Sequence, residues 1–133
     1  MMYMLDTNIC IYAIKNKPEQ VLNRLKENLH SGICISAITL AELKHGVEKS
    51  NYPDKNNMAL LRFLSIMKVL PFTDIAANEY GKICAFLQKR GTIIGTMDML
   101  IAAHAKSNNM ILVTNNVREF ERIPDLQIEN WVE

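Results

Sequence analysis

The chain has 133 residues, of which 49% are apolar and 22% are charged, and its 15 basic and 14 acidic side chains give a formal charge of +1. This composition is typical of a single globular domain over residues 1–133, and it excludes a disordered chain because the apolar content is high and the net charge is low. A charge of +1 also lacks the strong basic excess that many nucleic-acid-binding domains carry.

Short apolar runs alternate with longer amphipathic segments, and this pattern predicts βαβ units around a parallel sheet. The predicted strands cover residues 2–5, 33–35, 69–72, 110–113 and 127–128. The predicted helices cover residues 7–15, 18–29, 37–49, 56–67, 74–89 and 96–107. Ser36 and Thr73 are expected N-caps, and residues 51–54 and 91–95 are expected loops. We therefore predict an α/β fold with three α/β/α layers and a central parallel sheet.

The cysteine content and the N-terminal residues indicate a cytoplasmic protein. Cys10, Cys34 and Cys84 are scattered and form no C-x-x-C pair, so we expect three reduced thiols. The first residues contain no basic segment and reach an acid at Asp6, so we expect no signal peptide. The longest apolar run, residues 9–14, is too short for a membrane helix.

Four acidic residues follow the predicted strands. Asp6 comes directly after the first strand, and Glu42 lies in the second turn of the helix that follows the second strand. Asp98 begins the helix at 96–107, and Glu119 follows the fourth strand. Because the carboxyl ends of parallel strands share one edge, and helical side chains lean toward the helix N-terminus, we expect these carboxylates to converge.

Each of these acids also has an ordinary structural explanation. Asp6 could cap the first helix, and Asp98 could interact favourably with its helix dipole. Thr39-x-x-Glu42 matches a capping box, and Glu119 could be a solvated charge. Four converging carboxylates would nevertheless repel one another unless a cation lay among them.

Oxygen ligands of this kind suit Mg²⁺ or Mn²⁺, which can activate a water for in-line attack on a phosphodiester. The short side chains of Asp6 and Asp98 suit direct coordination, whereas Glu42 and Glu119 suit coordination through water or positioning of the attacking water. Four further residues are expected to hold the carboxylates through hydrogen bonds: Thr7, Asn8, Thr114 and Asn116.

Other catalytic chemistries find little support. His30, His45 and His104 lack the spacing of a zinc site, and the chain has no G-x-S-x-G or P-loop motif. Trp131 is expected to pack in the core.

The acidic motifs resemble those of PIN-domain ribonucleases. They are MLDTN at 4–8, ISAITLAEL at 35–43, IGTMDMLIAAHA at 94–105 and LVTNNVREF at 112–120. The likeness extends from residue 4 to residue 131, with the motifs in the family's order. Within the family, the small size and residues 115–123 are similar to the VapC toxins of toxin–antitoxin pairs.

This resemblance implies an Mg²⁺- or Mn²⁺-dependent endoribonuclease that inhibits translation until a VapB antitoxin blocks its site. The implied catalytic residues are Asp6, Glu42, Asp98 and Glu119. Similarity to enterobacterial VapC proteins implies that the substrate is initiator tRNA, which is cut in the anticodon stem-loop. Members of the family also form homodimers, so the resemblance implies a homodimer. Many PIN domains have Asp where Asn116 stands here, so Glu119 is the expected fourth acid.

Two alternative functions make different demands on the sequence. A receiver-type phosphoacceptor domain would require a second acid beside Asp6 and a Lys at the end of a late strand, and neither is present. A non-catalytic RNA-binding module would be expected to lack one of the acids.

The charge of the chain changes when the four acids are set apart. The remaining residues include 15 basic and ten acidic side chains, a charge of +5. A basic body could therefore contact phosphates around an acidic pocket.

Overall fold

The computed structural model describes residues 2–133, which form one parallel sheet flanked by helices. The strands are β1 (Tyr3–Leu5), β2 (Ile33–Ser36), β3 (Lys68–Leu70), β4 (Ile111–Val113) and β5 (Ile128–Glu129). The helices are α1 (Thr7–Lys15), α2 (Glu19–Asn28), α3 (Ala37–Glu48), α4 (Pro53–Leu64), α5 (Asp74–Lys89), α6 (Thr96–Ser107) and α7 (Val117–Phe120). A 3₁₀ turn at Leu29–Ser31 follows α2. The predicted α/β architecture with a parallel sheet is confirmed.

The strand order is β3-β2-β1-β4-β5, and all four strand pairs are parallel. The chain first extends the sheet from β1 to β3 and then returns to the other side of β1 to add β4 and β5. Tyr3 therefore pairs with Ile33 on one side and Ile111 on the other. The direction of winding reverses between β1 and β4, and in open α/β sheets the crevice outside the carboxyl ends at such a point is the usual ligand site.

The central strands are covered on both faces, as their continuous apolar sequences predict. In β1, Met4 packs with Leu87 of α5 and Ile101 of α6 on one face. The next residue, Leu5, packs with the core formed by helices α1 to α4 on the other face, which includes Ile9. Because successive strand residues point to opposite faces, one short strand joins both cores, and the molecule has three layers.

Two elements, α4 and β3, differ most from the sequence-based prediction, and the other bounds agree to within one residue. Helix α4 begins at Pro53, so the prediction of a loop at residues 51–54 is wrong for residues 53 and 54, which are helical. Proline is well suited to the first helical turn because its missing N–H has no helical acceptor there. Strand β3 covers Lys68–Leu70 instead of 69–72, and Pro71, which has no N–H for the ladder, follows its end.

The helix caps also differ from expectation in one place. Ser36 caps α3 as predicted, since its Oγ accepts a hydrogen bond from the Ile38 N–H at 3.0 Å. Thr73 occupies the N-cap position of α5, but its side chain makes no capping hydrogen bond. No helix within residues 2–133 combines the length and apolar character needed to span a membrane.

Candidate active site

Asp6 lies at the end of β1 where the sheet reverses its winding, and only 4% of the residue is exposed. Its Oδ1 accepts a hydrogen bond from the Ile9 N–H at 2.9 Å, so Asp6 is the N-cap of α1. The pKa of Asp6 is raised from its ordinary value of 3.8 to about 6, chiefly by burial. Hydrogen bonds from Thr114 and Ile9 oppose this rise, and the carboxylates of Asp98 and Glu42 contribute to it. Capping therefore accounts for one oxygen of Asp6, and no Lys, Arg or His side chain within residues 2–133 forms an ion pair with this carboxylate.

Thr114, which follows β4, connects the neighbouring strand to Asp6. The residue is fully buried, and its hydroxyl is a hydrogen-bond partner of the Asp6 carboxylate. The Oγ1 atom also accepts the Asn116 N–H at 2.9 Å. A residue at the end of β4 thus contacts the carboxylate at the end of β1.

Glu42 reaches the crevice from α3 through Thr7. The Thr7 hydroxyl donates a hydrogen bond of 2.6 Å to Glu42 Oε1, although the two residues are 35 positions apart. Thr7 is the first residue of α1, directly after Asp6. The start of α1 therefore supplies one carboxylate and orients a second.

Asp98 lies in the first turn of α6, half-buried, and links the acids electrostatically. Burial raises the pKa of Asp98, and the carboxylates of Glu119 and Glu42 raise it further. Asp98 in turn raises the pKa of Asp6. Asp98 is thus the member of the group that interacts with the other three acids.

The capping-box explanation of Glu42 is wrong. Thr39 lies inside α3, whose N-cap is Ser36, and Glu42 Oε1 accepts its hydrogen bond from Thr7. Thr39 is fully buried, and its Oγ1 has no hydrogen-bond partner in the described part of the chain. Glu42 is therefore available to the crevice and not committed to the start of its own helix.

The donor set fits a hard divalent cation. Within residues 2–133 no three acidic, histidine or cysteine side chains stand close enough to form a ready-made cage for an ion. Mg²⁺, however, usually binds through one or two carboxylates and keeps several of its waters. Asp6, which is buried, and Asp98, which is half-buried, are the oxygen donors that would hold such an ion, because the surroundings of each carboxylate disfavour its negative charge.

Asn8 and Asn116, unlike Thr7 and Thr114, make no side-chain hydrogen bond to the carboxylates of the described residues. Asn8 is exposed in the first turn of α1, and its side chain makes no hydrogen bond to any described residue. Asn116 is half-buried at the start of α7 and contacts Thr114 through its backbone N–H. The catalytic and metal-binding roles of all these residues remain predictions.

The buried side chain of His104 in α6 contacts Ser36, the N-cap of α3. The two residues are 68 positions apart, so the sequence did not predict this contact. His104 is 1% exposed, and its Nδ1 lies 2.7 Å from the Oγ of Ser36. Phe72 packs edge-on against the imidazole ring, and burial lowers the pKa of His104. Because Asp98 lies on α6 and Glu42 lies on α3, this contact helps to hold the two acid-bearing helices in position relative to each other.

An apolar groove adjoins Glu42 and was also not predicted. It has a volume of about 320 Å³ and lies between α1, α3 and α4. Its wall includes Ile11, Ile14, Leu43 and Leu60, with Glu42 at its rim. The groove lies between three helices that are distant in sequence, so it arises only from their packing.

Comparison with known proteins identifies the family. The model of the PIN domain matches residues 3–126. Ribonuclease VapC2 of Haemophilus influenzae is 49% identical over 130 residues, 98% of each protein. The tRNA(fMet)-specific endonuclease VapC of Salmonella typhimurium is 49% identical over 129 residues, 97% of each protein. The crystal structure of VapBC2 from Rickettsia felis, bound to a promoter DNA fragment, superposes with a TM-score of 0.94 at 45% identity and covers 98% of this chain and 99% of that one. The chain therefore belongs to the PIN-domain family and, within it, to the VapC proteins.

Proposed function

We propose that this protein is the toxin of a type II toxin–antitoxin pair and acts as a divalent-metal-dependent endoribonuclease. The observation that carries the proposal is the buried carboxylate of Asp6, held at the β1–β4 crevice with its pKa raised to about 6 and Asp98 and Glu42 beside it. A fold seldom keeps such a charge without a partner unless the site needs it. The similarity to named ribonucleases supports RNA as the substrate.

The residues divide the chemistry among them. A divalent cation, Mg²⁺ or Mn²⁺, would supply a water of lowered pKa and stabilise the leaving oxygen. Asp6 and Asp98 would bind the cation, and Thr114 holds Asp6 in place. Glu42, oriented by Thr7, and Glu119 are suited to hold the attacking water in line with the phosphodiester.

We further propose initiator tRNA, cut in its anticodon stem-loop, as the substrate, so that cleavage stops translation. The support is the 49% identity to a tRNA(fMet)-specific endonuclease over nearly the whole chain. In this proposal the protein is cytoplasmic and homodimeric, and residues 1–133 act as a single domain.

A VapB-type antitoxin is the proposed partner. Relatives of this chain have been solved as VapBC complexes. The groove between α1, α3 and α4 supports the proposal, because an apolar segment seated there would end beside Glu42. Such a segment would contact Glu42 and cover the half-buried side chains of Ile11 and Ile14.

The test uses partner-free protein with initiator tRNA and elongator tRNAs in Mg²⁺, each with and without chelator. We expect one cut in initiator tRNA, lost with chelator and with Asp98→Asn. Cleavage that survives the chelator or the substitution would refute the metal mechanism. Intact RNA under all conditions, together with RNA binding, would identify a non-catalytic RNA-binding module.

A further inference from the structure

A second polar cavity lies on the same edge of the sheet as the acids, beyond the ends of β4 and β5. Its volume is about 430 Å³. Asn115 and Asn116 follow β4, and Asn130 follows β5, so three side-chain amides meet at this end of the sheet. Its other lining residues are Val117, Arg118, Glu121, Ile128, and Glu133.

The cavity is connected to the catalytic crevice by hydrogen bonds. The N–H of Asn116, in the cavity wall, donates to Thr114 Oγ1 at 2.9 Å. The Thr114 hydroxyl in turn bonds to the Asp6 carboxylate. One residue of the cavity wall therefore contacts the threonine that bonds to Asp6, and both sites lie at the carboxyl ends of neighbouring strands.

The amides are arranged so that one of them is available to a ligand. Asn130 is held at both ends, since its Oδ1 accepts the Val132 N–H at 2.9 Å and its Nδ2 lies 3.5 Å from Asn115 Oδ1. Asn115 is exposed, and its Nδ2 group donates no hydrogen bond within residues 2–133. Asn130 thus contacts Asn115 at the outer limit of a hydrogen bond, and the Asn115 amide keeps two donors and a remaining lone pair for a ligand.

The lining chemistry favours a nucleobase over a phosphate. The single cation, Arg118, is outnumbered by the carboxylates of Glu121 and Glu133, so an isolated anion would be repelled. Amides pair with the donor and acceptor edge of adenine, and carboxylates accept hydrogen bonds from exocyclic amino groups. Val117 and Ile128 offer apolar contact to the faces of a ring.

We propose that this cavity binds an unpaired nucleobase adjacent to the scissile phosphodiester, with Asn115 reading the base edge and Asn130 acting as a positioning residue. The inference rests on the proposed ribonuclease function and names a specificity subsite for it. Bases in RNA loops are available for such readout because they are not committed to pairing. A base with an exocyclic amino group is the preferred occupant.

The chain contains a matched control cavity at the opposite edge of the sheet. It has a volume of about 300 Å³ and is lined by similar groups, among them Asn78, Asn109 and Glu79. It lies where β4 and β5 begin, away from the acids, and its cation, Lys106, is paired with Glu79 at 3.1 Å. Asn78→Ala therefore removes an amide of the same kind without touching the proposed subsite.

The test combines abasic substitutions in the RNA with variants of the protein. After the cut in a short RNA stem-loop is mapped, each flanking nucleotide is made abasic in turn. For wild type and Asn78→Ala we expect one position at which the abasic change lowers kcat/KM about tenfold, as for the loss of a good base contact. In Asn115→Ala and Asn130→Ala the intact RNA is cut more slowly, and the abasic change at that position has little further effect.

A binding measurement separates this inference from the proposed function. The side-chain amide NMR signals of Asn115 and Asn116 should shift when the same RNA is added in chelator, whereas those of Asn78 should not. Equal abasic effects in wild type and in Asn115→Ala would overturn the subsite while leaving the nuclease intact. Shifts at Asn115 without any cleavage would support the subsite and refute the nuclease. An RNA that is neither cut nor able to shift these signals would overturn both.

Discussion

Replacing the buried carboxylate of Asp6 should stabilise the metal-free protein, although it removes a predicted ligand. Asn is nearly isosteric with Asp, and its Oδ1 can still accept the hydrogen bond from the Ile9 N–H as an N-cap. Its amide N–H can donate to the Thr114 hydroxyl, which now donates to Asp6. Asp6→Asn therefore removes the charge and keeps the local hydrogen bonds.

The magnitude follows from the pKa of Asp6. A rise from 3.8 in the unfolded chain to about 6 in the folded protein corresponds to a cost of about 3 kcal/mol when the carboxylate is ionised. Because the folded protein binds this proton more tightly, its stability falls as the pH rises from about 4 to about 6. Above pH ~6 the full cost is present, and Asp6→Asn should raise Tm by roughly 10 °C.

The assay is urea and thermal unfolding in chelator at pH 4, 5 and 7.5, followed through the fluorescence of Trp131, which is fully buried. Asp54→Asn, at an exposed position in the first turn of α4, is the control, with a loss of a few tenths of a kcal/mol. The advantage of Asp6→Asn should vanish near pH 4 and shrink when Mg²⁺ is added, since the cation stabilises wild type alone. An advantage independent of pH, or none at pH 7.5, would refute the reasoning.

Three further changes test the site and the proposed partner. Thr7→Val removes the hydrogen bond to Glu42 and should lower kcat about tenfold, while Thr7→Ser should retain most of the wild-type rate. If Thr7→Val cleaves RNA as fast as the wild type, this hydrogen bond does not orient Glu42. Glu119→Gln should raise the Mg²⁺ concentration needed for half-maximal rate, and an unchanged Mg²⁺ titration would remove Glu119 from the site. Gly46→Leu should weaken antitoxin binding, because Gly46 lines the groove and a Cβ there meets open space. Gly81→Leu in the middle of α5 is its control, since that position is equally open and lies away from the groove, so a Kd changed equally by both would contradict the docking site.

The sequence by itself determined the class of fold and supplied the candidate acidic residues. Alternation of apolar runs with amphipathic segments is a local property, so βαβ units were predictable, and Asp6 could be placed at a strand end from its neighbours alone. The wrong predictions also have local causes. Pro53 is predicted in a loop because proline is common in turns as well as in first helical turns, and it begins α4. Thr39 matches a capping-box pattern, but the N-cap of α3 is Ser36.

Only the tertiary structure decided which strands are neighbours and therefore which groups meet. The order β3-β2-β1-β4-β5 places Thr114 beside Asp6 across more than a hundred residues, and helix packing brings Thr7 to Glu42. The apolar groove between α1, α3 and α4 and the amide-lined cavity likewise exist between elements and not within any of them. Burial then gives these contacts their chemical effect, because the charge of Asp6 is costly only where water has been removed by residues distant in the sequence.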